Sequence, residues 1–147
     1  MRLLIQRIKN AKVSIENRVT AEVGHGLLIF TGVGKEDTPE DIRKIAGKVT
    51  RLRIFDDAKG KMNLDIIQVK GEILSVPQFT LFADTRKGNR PGFDLSAPPE
   101  KAKEYWHRLN TMLQESGIPL KKGVFAAHME IELVNDGPVT IGLDSKT

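Results

Sequence analysis

The spacing of apolar positions changes several times along the chain, and each change marks an element. Residues 2–15 read as an extended segment with Ile5, Val13 and Ile15 at apolar positions, and Lys9-Asn10 marks a bend. Arg18–Val23 and Gly26–Val33 follow as a second and third strand around Gly24-His25-Gly26. Leu27-Leu28-Ile29-Phe30 is continuously apolar, as expected of a strand buried on both faces. The period then becomes helical through Ile42, Ile45, Ala46, Val49 and Leu52. Thr38-Pro39-Glu40-Asp41 opens that helix with a capping threonine, a proline at the first helical position and acid in the first turn.

Gly71–Leu74 begins another strand, which leads into Pro77-Gln78-Phe79-Thr80-Leu81. Phe-Thr-Leu-Phe at 79–82 is itself good strand material. Ala83–Pro98 is polar and rich in Gly and Pro; it predicts a long loop, of the kind that is functional or disordered. A second helix starts near Pro98-Pro99-Glu100, carries the stripe Ala102, Tyr105, Trp106, Leu109, Met112, Leu113, and is capped by Gly117. Leu120–Phe125, Met129–Val134 and Val139–Leu143 complete the set as strands, with Gly137-Pro138 as a turn between the last two. Three strands, a helix, a strand, a helix and three strands do not alternate as in a doubly wound sheet. The order predicts an α/β chain of α+β type, with a mostly antiparallel sheet curled towards a barrel and two helices packed on it. With no repeat or linker, residues 1–147 form one domain.

Composition narrows the chemistry. The chain has no cysteine, which excludes disulfides, thiolate metal sites and cysteine nucleophiles. Its N-terminus turns polar too soon for a signal peptide, and no apolar run approaches the roughly 20 residues of a membrane span, so a soluble cytoplasmic protein is expected. A net charge of +4, from 23 basic and 19 acidic residues, is compatible with a nucleic-acid partner. Arg86, Lys87 and Arg90 in the long loop, with Lys121 and Lys122, read either as a solvated face or as contacts to a phosphate backbone. His25, His107 and His128 show no ligand spacing and read as structural or solvent-exposed; no phosphate-binding glycine loop or nucleophile elbow is present. On these grounds alone no activity is assigned.

Ordered motifs over the whole length do assign one. Met1-Arg2 with Gln6-Arg7, Leu52-Arg53-Ile54-Phe55, Gly60-Lys61-Met62-Asn63-Leu64, Gln78-Phe79-Thr80-Leu81, Ala83-Asp84-Thr85-Arg86-Lys87-Gly88 and Asn135-Asp136-Gly137-Pro138-Val139-Thr140 resemble the D-aminoacyl-tRNA deacylase family. The resemblance implies hydrolysis of the ester joining a D-amino acid to the 3′-terminal adenosine of tRNA, with no metal and no cofactor. It implies a reaction platform at Gln78, Phe79 and Thr80, by backbone N–H groups around Phe79 and Thr80, by the Thr80 hydroxyl as nucleophile, or with help from the 2′-hydroxyl of the substrate. It implies a homodimer in which Gly137-Pro138, joined by a cis bond, enters the partner's active site and rejects L-aminoacyl groups, so that glycyl-tRNA is also cleaved. Arg7 would hold that segment, and Phe125 and Met129 would line the adenine pocket. The chain departs from the family at Pro77, where serine is usual; Ser75 lies two residues upstream, on the same face of a regular strand. Two other roles fit the same residues: a tRNA-editing module related to those of threonyl-tRNA synthetases, and a non-catalytic tRNA-binding protein.

Overall fold

The structure, a computed structural model, describes residues 1–147. Its spine is β1 (Arg2–Ile15), long enough to pair differently at its two ends. One edge takes β3 (Gly26–Gly32) along residues 2–8 and β2 (Arg18–Val23) along residues 11–15, both antiparallel. The hairpin to β2 turns on Glu16 and Asn17, at φ 49° and 62°, the positive pair a two-residue hairpin needs. The other edge takes β8 (Glu130–Asp144) along its whole length.

The expected bend at Lys9-Asn10 is an irregularity in the β1–β8 ladder, where Ile8 pairs with Asn135 and Asn10 with Val134. The extra residue reverses which face each later side chain occupies. Leu3 and Ile5 therefore enter the core under the helices, whereas Ala11 and Val13 join Ile8 in a second core inside the curl of the sheet.

Beyond β3 the sheet becomes parallel, through β6 (Glu72–Pro77) to β7 (Leu120–Lys122). Each parallel step needs a crossover, and the two helices provide them: α1 (Pro39–Arg51) and α2 (Pro99–Glu115). Gly117, at φ 86°, ends α2 as expected. The sheet curls until β7 approaches β2, where Lys121 donates to the Glu22 carbonyl at 2.7 Å. The curled, mostly antiparallel sheet with two helices agrees with the sequence; the parallel pairings that run out to β7 were not foreseen. Two further corrections concern strands. A small antiparallel pair, β4 (Phe55–Asp56) and β5 (Met62–Leu64), was missed. The two last strands are one, and Gly137-Pro138 lies inside it rather than between strands.

The start of α1 rests on Asp41, which accepts from the Thr38 N–H (2.7 Å), the Thr38 hydroxyl (2.9 Å) and Lys146 Nζ (2.8 Å). Burial alone would raise its pKa, but the bonds from Lys146, Ser145 and Thr38 outweigh burial and hold the carboxyl well below the usual carboxylate range. A folded-state pKa below the unfolded one stabilises the protein above about pH 4 and loses that contribution as pH falls through the folded value. Asp41→Asn is expected to cost on the order of 2 kcal/mol at pH 7, or about 5 °C in melting temperature. The gap between variant and wild type should close as melts are repeated from pH 5 down to pH 2; a gap independent of pH would contradict the ionic account.

Candidate active site

The carboxyl ends of β3, β6 and β7 lie side by side, the place where a parallel sheet most readily presents a ligand site. β6 ends at Pro77, which has no N–H to extend the pairing on the β7 side. The next residue, Gln78, donates its N–H to the Thr31 carbonyl at 2.7 Å, and the chain then winds into one turn of 3₁₀ helix, Phe79–Phe82, not the strand its composition suggests. Phe82 pins that turn, being buried beneath the Arg2 guanidinium, 4.5 Å from the ring centre. Arg2 also donates to the Leu81 carbonyl at 3.1 Å. Anchored at that end, the turn leaves Phe79 56% exposed and opens with the N–H groups of Phe79 and Thr80, positions that a helical turn gives no acceptor of its own.

The long loop is ordered against this turn. Asp84 and Gly92 exchange two backbone bonds of 2.8 and 2.9 Å, and the Ala97 N–H reaches the Val33 carbonyl at 2.9 Å. Phe93 thereby meets Phe79 edge-on, with ring centres 4.9 Å apart. Arg86 grips Asp84 with two nitrogens, at 2.9 and 2.7 Å, and lowers that carboxyl's pKa to about 2. On the opposite side α2 presents Trp106, whose Nε1 donates to Ser75 Oγ at 2.8 Å, with Phe125 6.1 Å from its ring.

Together these elements enclose a cleft of about 630 Å³, the size of a small-molecule site. Its walls are mainly apolar, and Thr31, Gln78, Ser96 and His128 are its polar members. Of the residues expected from sequence, Gln78, Phe79, Phe125 and Met129 line it. Thr80 does not. Its hydroxyl accepts from Gln78 Nε2, and no group of three or more His, Asp or Glu able to hold a metal lies anywhere in the chain. Trp106, Phe93, Thr31 and His128 were missed as wall residues; His128 was read as structural or solvent-exposed, and it is exposed but on the cleft. Nothing local in the sequence signals these four, since each reaches the cleft from a different element.

Arg7, Gly137 and Pro138 form a separate group outside this cleft. Gly137 and Pro138 are exposed on β8 and joined by a cis bond. Arg7 is buried beneath them, donating to the Asp136 carbonyl and to the Ile54 carbonyl at 2.7 Å each, with Asp56 Oδ1 at 3.3 Å. Asn135 spans the same segment. Its Oδ1 accepts the Val139 N–H at 2.9 Å, while its Nδ2 faces Val139 O, Thr140 Oγ1 and Gln6 Oε1 at 3.0–3.1 Å.

Of the basic residues noted in the sequence, Arg86 is held by Asp84 and Lys121 by the Glu22 carbonyl, whereas Lys87, Arg90 and Lys122 are exposed and unpaired. Beside Trp106, burial, with a smaller contribution from the charges of Lys122 and Lys103, pushes the His107 pKa down. No helix is long and apolar enough to cross a membrane.

The class of protein follows from known relatives: an aminoacyl-tRNA deacylase, a hydrolase of carboxylic ester bonds. Within that class the chain belongs to the D-Tyr-tRNA(Tyr) deacylase family, whose family model matches residues 4–144. It is 49% identical over 146 residues to a D-aminoacyl-tRNA deacylase of Thermosipho africanus, covering 99% of this chain and 98% of that protein. It is 51% identical over 146 residues to one of Anaeromyxobacter dehalogenans, with the same coverage. Among solved structures, the c-Myc DNA unwinding element binding protein superposes with a TM-score of 0.93 at 34% identity, over 98% of each chain.

Proposed function

We propose that the cleft hydrolyses the ester between a D-amino acid and the 3′-terminal adenosine of tRNA. The observation that carries this is the exposed 3₁₀ turn at Phe79-Thr80, whose first N–H groups have no acceptor within the turn and which meets an aromatic-walled cleft of nucleoside size at Phe79. Water attacks the ester carbonyl, the oxyanion draws hydrogen bonds from those N–H groups, and the ribose oxygen leaves with a proton to give free D-amino acid and tRNA. Phe125 stacks on the adenine, a contact worth about 1–3 kcal/mol, and Met129 packs beside it. Lys87, Arg90 and Lys122 face the phosphate backbone, which makes binding salt-sensitive. A tRNA substrate places the work in the cytoplasm.

Stereochemical choice is assigned to Gly137-Pro138, supplied by the second subunit of a homodimer. Supporting this, the segment is exposed, braced from below by Arg7 and Asn135, and absent from its own chain's cleft. A rigid backbone wedge rejects the L side chain by collision and grips no D side chain. Glycyl-tRNA, including glycine mischarged on the alanine tRNA, is then a substrate as well.

Incubating the protein with D-tyrosyl-, L-tyrosyl- and glycyl-tRNA in parallel tests this directly. Rapid loss of the D and glycyl esters with the L ester spared is expected. Cleavage of an L ester would favour an editing module, binding without turnover would favour a tRNA-binding protein, and spared glycyl-tRNA would contradict pure rejection. Thr80→Ala is expected to retain substantial activity, because no histidine, lysine or acid is bonded to the hydroxyl to activate it. A loss of about a thousandfold in single-turnover rate with the fold intact would make the hydroxyl the nucleophile instead.

A further inference from the structure

β3 and β6 run parallel with Leu27 opposite Ile73, Ile29 opposite Ser75 and Thr31 opposite Pro77. These pairs form one row on the face turned towards the helices. Leu27, Ile29 and Ile73 belong to the core under α1 and α2, and Ser75 is satisfied by the Trp106 indole. The row then runs out into the cleft, where both Thr31 and Pro77 line the wall. Thr31 is only 2% exposed, and its Oγ1 has no hydrogen-bond partner. Pro77 across the ladder has neither a hydroxyl nor an N–H to offer it.

An orphaned buried hydroxyl is costly, and an apolar residue of the same shape avoids the cost. Thr31 keeps it at the one place in the row that meets the cleft, one backbone bond from Gln78 and beside the turn at Phe79. Rotation about χ1 exchanges the hydroxyl and methyl of a threonine, and no hydrogen bond holds this hydroxyl where it is. We propose that Thr31 positions the substrate, its hydroxyl bonding the ribose–aminoacyl end of the seated adenosine. This rests on the proposed deacylase reading for its ligand, though not on the chemical step.

The test is a rescue. Thr31→Val removes the hydroxyl and keeps the shape. It is expected to lower kcat/KM on D-tyrosyl-tRNA about 10- to 100-fold, as the loss of one partner to a polar group does, with melting temperature unchanged or raised. Adding Pro77→Ser in the Thr31→Val background returns a hydroxyl to the same row, and activity is expected to recover to within a few fold of wild type. Binding is followed separately with adenosine carrying D-tyrosine through an amide in place of the ester, using the fluorescence of Trp106, the one tryptophan. The analogue should bind more weakly to Thr31→Val and regain affinity in the double variant. The inference is overturned if Thr31→Val matches wild type in binding, if it melts several degrees lower, or if Pro77→Ser restores nothing. A wild type that binds the analogue but hydrolyses no ester would instead refute the deacylase reading and leave the role of Thr31 standing.

Discussion

Arg7→Ala is expected to lower the melting temperature by about 10 °C and to loosen discrimination against L-aminoacyl-tRNA. The guanidinium is buried, and it satisfies two carbonyls from different parts of the fold: Ile54, just before the small sheet, and Asp136, immediately before Gly137. Its loss strands both acceptors and leaves a hole. Hydrogen bonds to a charged group contribute about 1.5–3 kcal/mol each, so roughly 3–5 kcal/mol is at stake. In a domain of this size each kcal/mol moves the midpoint by about 2–4 °C. Arg7→Lys should fall between wild type and alanine, because one ammonium cannot reproduce a planar fork reaching two carbonyls. Calorimetry of the three proteins, with D- and L-tyrosyl-tRNA assayed below the lowest midpoint, checks both parts. An alanine variant melting within 2 °C of wild type would mean that solvent or neighbouring donors replace the arginine without loss.

The parts of the fold that were legible in the sequence are those whose cause is local. The start of α1 was written in Thr38-Pro39-Glu40-Asp41, and the end of α2 in Gly117. The bulge at Lys9-Asn10 was visible as a polar break in an apolar alternation. The parallel arrangement β3–β6–β7 was not visible, because partner choice depends on where the crossovers land rather than on any strand's own composition. Phe79-Thr80-Leu81-Phe82 read as strand because its residues favour strands; β6 ends at Pro77 and burial of Phe82 then decides the outcome. Gly137-Pro138 read as a turn for a similar reason. The Asn135 amide bridges to Val139, so β8 stays registered on β1 on both sides of the interruption.

The candidate site divides in the same way. Gln78, Phe79 and Arg7 stand in motifs that carry the family resemblance and Phe125 and Met129 do not, but all five roles were reached only through that resemblance. Residue type alone gives core packing as good an account of Phe125 and Met129, and in the fold each does both, packing against a core cluster while lining the cleft. Thr31 shows the limit most clearly. In sequence it is one polar residue at the end of an apolar strand, and only the register against Pro77 reveals that its hydroxyl has no partner.

Gly137→Ala is expected to lower the preference for D- over L-tyrosyl-tRNA by about a hundredfold, or roughly 2.7 kcal/mol of discrimination. A β-carbon on Gly137 would lie 2.4 Å from the Val139 nitrogen and 2.7 Å from Val139 Cγ2. Neither atom can give way freely, because Asn135 Oδ1 holds the Val139 N–H at 2.9 Å and Val139 packs against the main core. The exposed Gly137-Pro138 segment, with less holding it, must therefore move. If that segment is the wedge that blocks the L side chain, L-tyrosyl hydrolysis rises in absolute rate while D-tyrosyl hydrolysis falls modestly. If glycine serves only the local fold, both rates fall together and their ratio is unchanged. Single-turnover rates on the two esters separate these outcomes, and a ratio within threefold of wild type would remove Gly137-Pro138 from the stereochemical mechanism. Light scattering on the same samples reports whether wild type is a dimer and whether it survives the substitution, as a wedge acting between subunits requires.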